Sequence, residues 1–426
     1  MNRILLFNGF VMLAVAGTMG IVASLYPATR GDFVLAALVV LATGGMLAIV
    51  GQSRERTRLL RRHIFLLTST AWVSAALAGA LPFYFWGMSV TDAVFESMSG
   101  ITTTGSTVLS GLDEMTHGIL LWRAMLQWFG GVGIIVTAMA VLPILKVSGM
   151  QLFRTESSES GERELRSAAS FAAATVWIYV VLTQACAIAY ILGGMNVFEA
   201  ITHAMTTLST GGFSTSDASM GHFQSPSIQW SATLFMALGG MPFVWYIRAI
   251  NKRVFSNEQV AAYLPFLLVT ITLLTIWRLK TADVAVGSAL REVAFSVASV
   301  VTTTGYAATD YTTWGAFGVA TFFFLTTVGG CSGSTAGGVK IMRWVVAIKA
   351  IGASVRAIQY PSGIFHPRYD GRVLEAGVID GVVAFFSIFF LSVAVVAGLL
   401  NMTGLDLLTS ISGSLTALMN VGPGVG

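Results

Sequence analysis

Charge is what this 426-residue chain has least of. Its 24 Lys+Arg and 20 Asp+Glu make up 10% of the residues, where a soluble domain carries about 25%. With 55% apolar residues and a mean hydropathy of +0.77, no water-exposed surface of ordinary polarity can be built. A soluble globular enzyme, a disordered chain and a nucleic-acid binder are excluded, and a polytopic membrane protein is indicated. Cysteine is scarce too: Cys186 and Cys331 fall in apolar or Gly-rich stretches, leaving no disulfide framework and no CxxC metal site. No small-residue cleavage site follows the first apolar run, so that run is read as a retained helix rather than a signal peptide. No chain of buried Asp, Glu and His of the proton-relay type crosses the apolar segments, which favours channel-like flux over proton coupling.

What is present is a succession of runs near the 20 or so apolar residues that cross a bilayer. They lie at 4–26, 33–51, 64–86, 119–145, 172–194, 228–248, 260–277, 314–348 and 377–400. The eighth is interrupted by Gly329, Gly330, Cys331, Ser332, Gly333, Ser334, Thr335, Ala336, Gly337 and Gly338, which no lipid-facing helix carries intact. Basic residues gather after every second run: Arg54, Arg56, Arg58, Arg61 and Arg62; Lys146, Arg154, Arg163 and Arg166; Arg248, Lys252 and Arg253; Lys340, Arg343, Lys349, Arg356, Arg368 and Arg372. With Arg3 this sets 19 basic residues on one side against five on the other. The positive-inside rule puts the 19, and the N-terminus, in the cytoplasm. Topology thus accounts for the pI near 9.1 without a nucleic-acid partner. The outer side carries eleven acids, among them Asp92, Glu96, Asp113, Asp217 and Asp406. They form either a cation-concentrating mouth or an ordinary solvated loop surface.

A short motif recurs four times. Val94–Ser106, Ala200–Phe213, Ala294–Tyr306 and Ser410–Pro423 are each too short and too polar to span, and each sits on the outer side between spans or after the last one. Aligned on Gly105, Gly211, Gly305 and Gly422, each is a short helix ending in a residue pair before a glycine. A re-entrant segment fits. Its helix aims a partial negative charge at the membrane middle, and glycine lets the following backbone turn its carbonyls one way. Such backbone survives at that depth only along a water-filled path. Four copies around one axis would form rings of carbonyls that replace a cation's hydration shell, with the Thr102 and Thr302 hydroxyls completing an inner ring.

These residues resemble the Trk/Ktr/HKT superfamily of potassium transporters, with the bacterial TrkH/TrkG pore-forming subunit as the nearest type. The resemblance covers nearly the whole chain and rests on Ser99–Ser106, Leu121–Ile135, Leu208–Ser214, Thr302–Tyr306, Gly329–Lys340 and Asn420–Pro423. It implies an all-α polytopic membrane fold: four pseudo-repeated helix–pore-loop–helix units around one ion pore, plus two leading transmembrane helices. The expected divisions are a leading pair at 1–63 and units at 64–168, 169–255, 256–372 and 373–426. It further implies a bacterial inner-membrane protein that takes up K⁺, holds no cofactor, forms a homodimer among membrane lipid, and docks a cytoplasmic nucleotide-binding regulatory ring of RCK type (TrkA-like). A sodium- or proton-coupled K⁺/Na⁺ transporter of the same superfamily is the alternative. The ion-binding positions carry over onto Thr103, Thr104 and Gly105; Ser209, Thr210 and Gly211; Thr303, Thr304 and Gly305; and Asn420, Val421 and Gly422. The family has a further spanning helix after the fourth loop, bearing an arginine near the pore. Four residues follow Gly422 here, too few to cross about 30 Å, so the fourth unit is expected to be incomplete, through truncation or completion by a second polypeptide.

Other features carry expectations of their own. Gly329–Gly338 holds five glycines in ten residues, which breaks a helix rather than packs one, so it is read as an intramembrane gate. Gly330–Gly333 also matches the Gly-x-Ser-Gly of intramembrane serine hydrolases, but the downstream histidine, His366, lies in a basic loop, a poor base for Ser332. Gly333–Lys340 misses the phosphate-loop spacing by one residue. A non-conducting scaffold for the regulatory ring is the third reading. Arg123 is expected to brace a pore helix, with Glu96 as its first candidate partner. His203 is expected to be a satisfied packing histidine and Glu199 a helix N-terminal anion. Lys340 and Arg343 are read as gate, lipid or topology anchors, and 151–168 as an interfacial amphipathic helix or loop, either a contact for the regulatory ring or a membrane-surface connector.

Overall fold

The structure, a computed structural model, describes residues 2–52, 61–140 and 162–422. The expectations for Arg54, Arg56, Arg58, Lys146, Arg154, residues 151–161 and Pro423, and for the side chains of Arg61, Arg163 and Arg166, lie outside the described residues.

Fifteen α-helices are present among the described residues. A leading pair, α1 (Asn2–Leu25) and α2 (Arg30–Val50), packs closely because small residues face one another: a Cβ on Gly9 would lie 2.7 Å from the Gly44 carbonyl oxygen. Four units follow. The first is α3 (Arg61–Trp86), short α4 (Val90–Ile101) and α5 (His117–Ala140). The second is α6 (Glu162–Gly193), short α7 (Val197–Leu208), α8 (Pro226–Gly239) and α9 (Phe243–Lys252). The third is α10 (Glu258–Thr281), short α11 (Val286–Val301), α12 (Ala316–Thr326) and α13 (Ile341–Gln359). The fourth is α14 (Ala376–Met402) and short α15 (Leu407–Met419). A two-residue-per-strand hairpin, β1 (Arg368–Tyr369) and β2 (Arg372–Val373), joins the third unit to the fourth.

Among the described residues seven helices are long and apolar enough to cross a membrane, and the α8–α9 pair would make an eighth. Leu35, Leu38, Ile49, Leu391 and Leu399 point outward on these spans, as a lipid-facing surface requires. The four short helices, by contrast, are packed inside: Val293, Phe295 and Val297 of α11 are fully buried.

Two departures from the expected runs matter. The sixth, read as one span over 228–248, is two helices bent by 87°. Gly239 and Gly240 end α8, and Pro242, which has no N–H to continue a helix, starts α9 in extended backbone (φ −67°, ψ 127°). The eighth run is broken, as expected, and the non-helical stretch runs from Thr327 to Lys340. From Glu162 onward the segment read as 151–168 is helix continuous with the fifth span.

Candidate ion-conducting site

The site is built by the ends of the four short helices. Local chemistry starts three of them. Ser89 accepts the Asp92 N–H at 3.1 Å, Asp406 accepts the Thr409 N–H at 3.1 Å, and Asn196 with Glu199 forms a reciprocal capping box. Glu199 is thus the N-terminal anion expected.

All four helices end alike. Just past each helix end one N–H reaches back five positions: Thr104 to the Ser99 carbonyl (2.9 Å), Gly211 to Thr206 (2.9 Å), Thr304 to Ser299 (2.8 Å) and Val421 to Thr416 (3.1 Å). This is the Schellman closure, and it requires a left-handed residue just before the donor. That residue is Thr103 (φ 60°), Thr210 (52°), Thr303 (59°) and Asn420 (55°). A non-glycine residue held there stores strain of about 1–2 kcal/mol, which concentrates at functional sites. The second positive-φ residue two places on is a glycine each time: Gly105, Gly212, Gly305 and Gly422.

The second unit's alignment is therefore corrected by one residue. Its segment is Thr210-Gly211-Gly212, and Ser209 is the right-handed C-cap that matches Thr102 and Thr302. Two adjacent glycines left the choice open in sequence. The Thr102 and Thr302 hydroxyls do not form a ring of their own. They donate to the Met98 and Ala298 carbonyls at 2.6 and 2.7 Å and pair with Thr104 and Thr304.

The four segments meet in a closed cycle. A Cβ on Gly105 would collide with the Gly211 carbonyl oxygen, one on Gly212 with that of Thr304, and one on Gly305 with that of Val421. One on Gly422 would lie 3.3 Å from the Thr104 carbonyl oxygen. Each unit's glycine thus receives the carbonyl of the next unit, and the fourth returns to the first. Thr104 also donates its hydroxyl to Asn420 Oδ1 at 3.0 Å, joining units one and four directly. Among the described residues, no group of three or more His, Cys, Asp or Glu could hold a metal ion. The polarity offered is that of backbone dipoles and hydroxyls, with four helix C-termini behind it.

Buried side chains brace the cycle from behind. Arg123 on α5 and Glu96 on α4 form an ion pair at 2.7 Å, 1% and 0% exposed, the pairing expected. Arg123 also donates to the Ser214 carbonyl (2.9 Å) and the Thr107 hydroxyl (3.1 Å), and its guanidinium lies over the Phe213 ring. The charge is therefore consumed in bracing rather than aimed at the cycle. His203 has both ring nitrogens engaged, with the Glu199 carbonyl and the Ser214 hydroxyl, as expected of a packing histidine. Tyr306, just past Gly305, reaches across to the Thr206 hydroxyl at 2.5 Å and the His203 carbonyl at 3.2 Å. Gln127 on α5, not singled out in the sequence, donates to the Gly211 carbonyl at 2.6 Å and accepts the Phe213 N–H at 3.0 Å. A lone amide in an apolar run was the available signal.

On the side from which the short helices enter, the loops after α4 and α7 clasp each other. Asp217 accepts the Gly111 and Leu112 N–H groups, and Asp113 accepts the Asp217 N–H. A hydrogen bond with Ser216, foremost, holds the Asp113 carboxyl below the usual carboxylate range.

The Gly329–Gly338 stretch is buried among three units. Cys331 N–H donates to the Gly240 carbonyl (2.9 Å), and the Thr335 hydroxyl donates to Gly239 (3.0 Å). The bend between α8 and α9 frees those two carbonyls. Ser332 N–H donates to Gln259 Oε1 (2.8 Å), Gly337 N–H to the Thr303 hydroxyl (2.6 Å) and Gly338 N–H to the Met419 carbonyl (3.0 Å). Lys340 turns back to donate to the Ala336 carbonyl, and Arg343 donates to Val339 while stacking on Phe385.

Comparison with known proteins agrees with this architecture. Residues 32–426 match the model of the TrkH family, described as cation transport protein. The chain is 46% identical to the Trk system potassium uptake protein TrkI of Halomonas elongata, over 85% of this chain and 75% of that one. It is 35% identical to the Trk system potassium uptake protein TrkH of Escherichia coli K12, over 98% and 89%. The crystal structure of the potassium transporter TrkH from Vibrio parahaemolyticus superposes with a TM-score of 0.91 at 32% identity, covering 100% of this chain and 91% of that one. These relatives are named as transport components and not as enzymes, which removes the hydrolase reading at Ser332. A multi-pass helical chain of four pseudo-repeated units, closed into one cycle by their re-entrant loops, belongs to the TrkH cation transport protein family.

Proposed function

We propose that this chain forms a potassium-selective uptake pore in the bacterial inner membrane, its N-terminus cytoplasmic. The observation that carries the reading is the closed cycle of four re-entrant backbones, in which no charged side chain takes part. An ion crossing apolar protein must exchange its water shell for other oxygens, and neutral carbonyls do so without trapping it as carboxylates would. The proposed ion ligands are the carbonyls and hydroxyls of Thr103, Thr104 and Gly105; Thr210, Gly211 and Gly212; Thr303, Thr304 and Gly305; and Asn420, Val421 and Gly422, with Ser209 moved to the supporting shell. The names of the relatives as potassium uptake proteins support K⁺ as the ion.

The Gly329–Gly338 loop is the proposed gate, because it hydrogen-bonds both to the segment at Thr303 and to the bend at Gly239–Gly240. The pore units are those bounded at 64–168, 169–255, 256–372 and 373–426 behind the pair at 1–63. A homodimer docked on an RCK-type ring completes the reading, the ring meeting the side that carries the β1–β2 hairpin.

The test is radioactive rubidium uptake into K⁺-loaded proteoliposomes with excess K⁺, Na⁺ or Li⁺ as competitor. Uptake blocked by K⁺ and not by Na⁺ is expected. No uptake with the regulatory partner supplied would sink the pore and favour the scaffold.

A further inference from the structure

The cycle is not four-fold equal, and the difference is Gln127. Its side-chain amide is fully buried and grips the second segment twice, through Nε2 on the Gly211 carbonyl at 2.6 Å and Oε1 on the Phe213 N–H at 3.0 Å. The place a Cβ on Gly211 would occupy is taken by this amide. The equivalent positions, Thr104, Thr304 and Val421, all carry side chains. Among the described residues, no side chain donates to the carbonyls of those three. One carbonyl in four therefore already accepts a hydrogen bond, and its orientation is locked from behind.

We propose that Gln127 is a specificity-determining positioning residue. By holding the Gly211 carbonyl and occupying one of its lone pairs, it stops the cycle contracting around a cation smaller than K⁺. This rests on the uptake reading above. The physical ground is that discrimination among alkali cations depends on the size of the cage and on the number and field strength of its carbonyl dipoles. A free carbonyl can swing inward to meet Na⁺ or Li⁺. One held by a short hydrogen bond at a strained turn cannot do so without breaking that bond. Gln127 does not itself touch the ion. Its neighbour one helical turn back, Arg123, stacks on Phe213, so the donor of the second hydrogen bond is also held in place.

The experiment compares the wild-type protein with Gln127→Glu and Gln127→Leu, reconstituted and assayed for rubidium uptake against K⁺, Na⁺ and Li⁺. Gln127→Leu removes both bonds and is the deciding variant; Gln127→Glu keeps the shape, but burial favours its neutral carboxyl, whose O–H can donate to Gly211 in place of the amide. Gln127→Leu is expected to admit Na⁺ as a competitor about tenfold better relative to K⁺, a change equivalent to about 1.4 kcal/mol, and Gln127→Glu to do so only at a pH that ionises its carboxyl. Gln127→Asn, with the same atoms on a shorter stem, is expected to fall between. For a variant that folds without conducting, the ratio of K⁺ to Na⁺ concentrations giving half-maximal thermal protection in detergent replaces flux, with the same shift expected. Unchanged ion preference in Gln127→Leu overturns the proposal, and so does a failure of both Gln127→Leu and Gln127→Glu to fold, which assigns the residue a structural role only. A wild-type protein with no preference for K⁺ over Na⁺ instead fails the uptake reading.

Discussion

The Thr303 hydroxyl accepts the N–H of Gly337 at 2.6 Å. Thr303 is the strained left-handed residue that opens the third segment of the cycle, and Gly337 lies in the glycine-rich break of the following span. One hydrogen bond thus joins the loop proposed to gate to the segment proposed to select. Replacing Thr303 by Val leaves the Gly337 N–H without this partner, at a cost of about 1–3 kcal/mol. The loop should then leave its seat more often. Rubidium flux without the regulatory partner is expected to rise, while Thr303→Ser stays near wild type. Equal partner-free flux in Thr303→Val and wild type would count against the loop as a gate.

The Arg123–Glu96 pair is buried on both sides, so removing one partner strands a charge. Arg123→Met alone is expected to cost about 3–5 kcal/mol, whereas the double change Arg123→Met with Glu96→Leu should cost less than the single. Thermal melting in detergent, followed by size-exclusion, decides it. A double variant at least as unstable as Arg123→Met would show that the bonds Glu96 accepts from the Thr107 hydroxyl and the Val108 N–H matter more than the stranded charge.

Gly211 and Gly212 are adjacent but fail for different reasons. A Cβ on Gly211 meets the side chain of Gln127, and one on Gly212 meets the backbone carbonyl of Thr304 while holding φ at +76°. Both Ala variants should lose uptake. Gln127→Ala should partly restore the fold of Gly211→Ala and leave Gly212→Ala unrescued, because a side chain can be shortened and a carbonyl cannot. Thermal stability of the two doubles is the measurement, and rescue of Gly212→Ala would refute the corrected register.

The hairpin below the loop is tied to α10. Glu258 N–H donates to Asp370 Oδ1 at 3.1 Å, Asp370 N–H donates to Glu258 at 2.6 Å, and Lys349 pairs with Glu258. Burial, only partly offset by Arg248, Lys349 and Arg372, raises the Asp370 pKa. An acid whose pKa is raised on folding favours the folded state below its unfolded value and loses that contribution as pH rises through the folded value. Lowering pH from 7 toward the carboxylate range should therefore relieve this group's cost. Asp370→Asn, which keeps the acceptor for Glu258, should melt no lower than wild type at neutral pH and show less gain on acidification. A lower neutral melting temperature in Asp370→Asn would contradict this.

Sequence alone determined the class of the protein, because membrane solvation leaves so few ways to satisfy a backbone that span length, charge asymmetry and short polar repeats are read directly. Among the described residues seven of the nine runs are continuous helices, the fifth starting ten residues early at Glu162, and the break in the eighth shows in its own glycines. The partnership of Arg123 with Glu96 was legible because a buried charge demands an opposite one. Tertiary structure alone decided the rest. The sixth span bends at Gly239, Gly240 and Pro242, and the bend is held because the two carbonyls it frees find donors in Cys331 and Thr335, some 90 residues away. The second segment takes Gly212 rather than Gly211 as its turn because the hydrogen bond from Gly211 to Thr206 counts back from the helix end, and because Gln127 fills the space beside Gly211. Local propensity cannot choose between two adjacent glycines. A contact 84 residues away in the chain can.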